Sequence, residues 1–155
     1  MAIKLSTISD GTIEVIARID NALPQDLTSE EYDNYLESLD ESLLRIGNED
    51  KPTRFVMRKI LPWALAQKAA NQRADIEKGE VKIKLSFMAV EVKYALVDIK
   101  NPEDLPEEDK IKFERSSEGG ASETLMEKLM AAGIVDNLFS ARQHAITKTK
   151  DRKKN

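Results

Sequence analysis

Residues 94–142 constrain the fold more than any other part of this chain: YALVDIKNPEDLPEEDKIKFERSSEGGASETLMEKLMAAGIVDNLFSAR. An apolar run enters an acidic loop marked by Pro102 and Pro106 and returns as the short alternating piece 111–115. It then crosses Gly119-Gly120 and ends in a long helical pattern. Strands repeat every second residue and helices every 3.6, so a chain that changes period in this way must mix the two. The expected architecture is α+β: a small antiparallel sheet containing strands near 53–58 and 111–115, packed by three or more helices, with a flexible basic C-terminal tail.

At 155 residues, the chain can bury about two thirds of its unfolded surface and so fold without staples. The expected organisation is a single α+β domain over residues 1–147 and a basic, disordered tail over 148–155. Hydrophobic residues at 41% and charged residues at 34% exclude both a disordered chain and a membrane protein. No apolar run approaches the ~18 residues of a spanning helix, and the opening MAIKLSTISD lacks a signal-peptide pattern. The expectation is a cytoplasmic protein with no membrane partner. Zero cysteines remove disulfides, thiolate nucleophiles and Cys-based zinc sites.

Charge is distributed unevenly. Residues 26–50 hold nine acidic side chains against the single Arg45, whereas 142–154 hold Arg142, Lys148, Lys150, Arg152, Lys153 and Lys154 against Asp151. A basic terminus can meet nucleic acid or an acidic protein patch, or simply be a solvated, frayed end.

Along the chain, Ile13, Val15, Ala17 and Ile19 alternate as in a half-buried strand over 12–20, with Ile16 breaking the pattern. Thr28 and Glu31 form a capping-box signature. Leu36, Leu39, Leu43 and Ile46 follow at helical spacing with Tyr32 and Tyr35, ending at Gly47. Residues 53–58 read as a strand. Pro62 suits a first helical turn, opening an alanine-rich helix over 63–78 that lets a neighbour approach closely, with Gly79 as its stop. Residues 81–87 alternate, and a helix is expected from about 86 to 97. Ser122 is the expected N-cap of a helix whose stripe, Leu125, Met126, Leu129, Met130 and Ile134, is extended past Gly133 by Val135, Leu138, Phe139 and Ile146.

Catalytic signals are weak throughout. His144 is the only histidine and no triad spacing surrounds it. Gly119-Gly120 precede a helix but lack the lysine and spacing of a phosphate loop, so a turn is the better reading. The clusters Glu30, Glu31, Asp33 and Glu107, Glu108, Asp109 lack the order of a calcium loop and read as solvated faces. No catalytic, cofactor or metal residue is assigned, and no enzymatic activity is expected. Trp63 and the Met126/Met130 pair can line a partner groove, since methionine adapts to varied surfaces, with core packing as the default.

With these parts in order, residues 51–143 resemble the small tail assembly chaperones of long-tailed bacteriophages. The likeness lies in an acidic region before strand 53–58, a helix, the run 94–99 with its acidic loop, strand 111–115, and a closing helix over 125–142. The resemblance implies a non-enzymatic phage protein in the host cytoplasm that binds an aggregation-prone, largely helical tape-measure partner before the tail tube polymerises. Such a role needs an accessible apolar groove edged by charge, with Met126, Met130, Leu138 and Phe139 as the partner-contacting residues. Two other classes fit: a virion structural or connector subunit forming homo-oligomers, or a phage regulatory protein. The latter would bind a host enzyme, or nucleic acid through Lys148, Lys150, Arg152, Lys153 and Lys154.

Overall fold

Three short strands pair antiparallel in the order β1 (Thr12–Val15), β2 (Arg54–Arg58), β3 (Leu96–Lys100). The structure is a computed structural model that describes residues 11–78 and 85–154, with backbone alone for 149–154. The register sets Ile13 opposite Met57, Val15 opposite Phe55 and Phe55 opposite Ile99, so these apolar side chains share one face. Glu14, Arg54 and Lys100 stand on the other, where Glu14 pairs with both basic residues. One face toward the core and one toward water is the usual state of an antiparallel sheet.

Among the described residues five helices accompany the sheet: α1 (Ser29–Ser38), α2 (Trp63–Glu77), α3 (Phe87–Ala95), α4 (Glu123–Ala131) and α5 (Ile134–Lys154). This is the expected α+β class. Helix α5 packs against α1, α3, α4 and β1, burying Ile134, Val135, Leu138 and Ala141. No described helix is long and apolar enough to cross a membrane.

The break at Ile16 has a physical reason. β1 stops at Val15, and the buried backbone of Ile16 is satisfied by α1: its N–H donates to Tyr35 Oη at 2.9 Å, and its carbonyl accepts from Tyr32 Oη at 2.8 Å. Burial raises both phenol pKa values, Tyr35 to about 12 and Tyr32 further. The expected strand over 12–20 is therefore cut to its first four residues, and Ile19 is left 59% exposed.

The capping box at Thr28 and Glu31 forms, each side chain bonding the other's backbone N–H at 3.1 Å. The helix does not continue to Gly47. Leu39 adopts a left-handed backbone, φ 57°, and Asp40 caps a 3-10 turn over Glu41–Leu44. Because that turn rotates about 120° per residue, it buries Leu44 in place of the expected Leu43.

Two further expectations are corrected. The helix expected to reach 97 ends at Ala95, since Leu96–Lys100 pair with β2 as the third strand. Residues 111–115 form no strand: the Asn101 side chain occupies both backbone groups of Ile111, at 3.1 and 2.8 Å, and only Arg115 makes a bridge, to Ala121. Gly79 and residues 81–84, where a stop and a strand were expected, lie outside the described residues. Ser122 caps α4 as expected, accepting from Leu125 N–H, and Gly133 at φ +74° separates α4 from α5. Helix α5 runs through Lys154, into residues 148–155, where a basic tail was expected. Residues 142–154 contain no Gly or Pro, and a basic helix end is favoured by the dipole.

Candidate protein-binding face

Arg142, buried on α5, organises the region from which the most exposed apolar residues emerge. Its Nε donates to the Arg58 carbonyl at 2.9 Å and Nη2 to the Lys59 carbonyl at 3.0 Å, while Nη1 pairs with Glu91 at 2.9 Å. Glu91 also pairs with Arg73 of α2. Desolvation lowers the Arg142 pKa and Glu91 opposes it, so the guanidinium stays charged and all three acceptors are held by one rigid fork. The chain leaving β2 is thereby fixed at Lys59, and the following residues turn outward: Ile60 is 68% exposed and Trp63 80%.

Trp63 opens α2, whose attachment is one-sided. Ala69 is its only buried residue. Its inner edge is tied by polar contacts: Tyr94 Oη donates to Gln72 at 3.0 Å, Lys68 Nζ donates to the Glu118 carbonyl at 2.7 Å, and Arg73 meets Glu91. The outer edge shows Trp63, Ala64, Gln67, Ala70 and Asn71 to solvent. From Trp63 to Asn71 its one charged residue is Lys68, which turns aside to Glu118.

That composition suits a helical neighbour. A tryptophan presents roughly 150–250 Å² of surface with few rotatable bonds, and tryptophans with exposed aliphatic neighbours are typical energetic centres of protein interfaces. Alanines let a second helix approach closely, while Gln67 and Asn71, bonded to each other at 3.2 Å, offer hydrogen bonds without a charge to desolvate.

The residues predicted to contact a partner lie elsewhere. Met126 and Leu138 are fully buried in the core, and Met130 and Phe139 are half-buried against it. Their stripe is the inner face of α4 and α5, which pack against each other, so Met126 and Leu138 face the core and are closed to a partner. Lys148 is engaged with the Glu37 carbonyl. His144 is half-buried on α5. Glu31 is held by Thr28 and Arg45, which lower its pKa, and Glu107 is likewise lowered by Lys110 and Lys112. Among the described residues no group of three or more His, Asp or Glu side chains could hold a metal ion.

Gly119, at φ +101°, and Gly120 make the turn before α4; a Cβ on Gly120 would stand 2.8 Å from the Lys93 carbonyl. They bring Glu118 to the nearly buried Lys93 ammonium at 3.5 Å, which lies 4.9 Å from the Tyr94 ring.

The sequence held a signal for the Trp63 face, the apolar run Ile60-Leu61-Pro62-Trp63 leading into a helix without a broad stripe of large apolar residues. An apolar residue just after a strand reads as the strand's continuation, and nothing in the sequence marks Ile60 as exposed. The fold and surface define a mixed α+β protein with an exposed aromatic face. Protein-family models, curated proteins and solved structures were compared with the chain, and none matches.

Proposed function

We propose that this protein is a non-enzymatic interaction factor that holds a helical partner polypeptide against the outer face of α2, in the manner of the tail assembly chaperones that residues 51–143 resemble. The partner in that reading is the tape-measure protein of a long-tailed phage, kept soluble until the tail tube forms. One observation carries it: Trp63 and Ile60 stand 80% and 68% exposed at the start of a helix whose exposed side over residues 63–71 is uncharged apart from Lys68. Exposing such residues has no use in stabilising the monomer, and covering them supplies binding energy.

The test is co-expression with a tape-measure protein of a long-tailed phage, the partner that this reading names. The expected result is recovery of that protein in the soluble fraction and its co-purification with the chain. Trp63→Ala should weaken the complex by roughly 2 kcal/mol or more, about thirtyfold in Kd. Absence of both rescue and co-purification, or binding indifferent to Trp63→Ala and Ile60→Ser together, would remove the proposal.

A further inference from the structure

A second surface has the opposite chemistry. Between the turn after β1, residues 49–53 and the 102–111 loop lies an open groove of about 570 Å³. Phe55 and Ile134 form its floor and Ile19, 59% exposed, its apolar edge. The walls are braced by Asp20, which accepts from Ala22 N–H at 2.9 Å and from Thr53 N–H at 2.8 Å, so the groove exists before anything enters it. Its rim carries Glu49, Asp50, Asp104 and Asp109 against Lys51, all exposed. Among the described residues none of these four carboxylates has a side-chain hydrogen bond or ion pair. Clefts rimmed by one sign of charge over low-dielectric walls concentrate the field on whatever enters.

The complementary surface is on the same chain. Lys150, Arg152, Lys153 and Lys154 face a single acid, Asp151, in the last turns of α5. That helix starts at Ile134 on the groove floor and runs 21 residues, which sets its basic end about 30 Å away. A straight helix cannot fold back on its own first residue, so the charge match is available only between copies.

We infer that the groove receives the basic end of α5 from a second copy of this chain, so that copies associate head to tail. The attraction is between the positive charge of one copy's last turns and the negative rim of the next copy's groove. The two surfaces sit at opposite ends of one helix, so the contact is heterologous and each copy keeps one groove and one basic end to offer. This inference is independent of the Trp63 face and concerns self-assembly alone.

Sedimentation velocity of the full chain tests it. At about 50 mM salt the wild type should form dimers and larger species that grow with concentration, weakening at least ~10-fold by about 500 mM. Two variants break opposite halves of the contact: Glu49→Lys with Asp50→Lys and Asp104→Lys, and truncation after Thr147. Each should be monomeric alone and melt cooperatively as the wild type does, the truncation losing only the helical signal of residues 148–154, and mixing them should give a one-to-one heterodimer and nothing larger. Glu30→Lys with Asp33→Lys, on α1, should associate as the wild type does. A monomeric wild type at low salt, a mixture that stays monomeric, or an equal loss in the α1 variant would overturn the inference.

Discussion

Helices α5 and α2 are both long and polar in composition, yet one is the centre of the molecule and the other hangs on its side. α5 places Ile134, Val135, Leu138 and Ala141 against four elements and adds the Arg142 fork. α2 fully buries only Ala69, packs the half-buried Leu65 and Ile76 against the core, and is tied by polar side chains to α3 and the Glu118 turn. A stripe of large apolar residues draws a helix inward because each removes surface from water; alanine offers little to remove, so the helix stays at the edge and keeps a face free.

The contrast has consequences that can be ranked. Leu138→Ala should cost about 3–4 kcal/mol in urea unfolding, through lost transfer energy and the cavity left behind. Arg142→Ala should cost about 3 kcal/mol, since it leaves the Glu91 carboxylate to Arg73 alone and frees two backbone carbonyls. Arg142→Lys should recover only part of this, because an ammonium lacks the fork, and hydrogen exchange near Ile60 should quicken in both variants. If the lysine variant matched wild type, the fork would be incidental.

Tyr35→Phe should cost roughly 1–2 kcal/mol, leaving the buried Ile16 N–H without its acceptor. The same phenols impose a pH limit. Because the Tyr35 pKa is raised to about 12 in the folded state, and that of Tyr32 is raised as well, the folded chain retains phenolic protons that the unfolded chain loses near pH ~10. Their contribution is complete below about pH 10 and is lost as pH rises toward 12, so Tm should be insensitive to these groups at neutrality and drop across that window. Tyr35→Phe should shrink the drop. Least affected of all should be Trp63→Ala, with unfolding energy changed by less than about 0.5 kcal/mol. A large loss there would mean that Trp63 supports the core, and would erase the distinction between the two helices.

Much of the local structure was readable. The Thr28 capping box, the Ser122 cap and the Gly133 break each depend on residues within a few positions of one another, so sequence holds their full cause. The third strand was misplaced because 111–115 and 96–100 both carry a plausible period. Pairing with β2 chose the latter, while the Asn101 side chain took the hydrogen-bonding groups of Ile111. The partner-contacting residues were misplaced for a related reason: the stripe through Met126 and Leu138 shows apolar character, which core and interface share.

What the sequence determined by itself was the mixture of helix and sheet, the helix starts, the uneven charge and the absence of cysteine chemistry, all properties of near neighbours or of counting. What only the tertiary structure decided was which apolar residues remain outside. Burial depends on partners far away in the chain: Arg142 reaches Arg58 and Glu91 across 84 and 51 positions, and that distant grip turns Ile60 and Trp63 toward solvent.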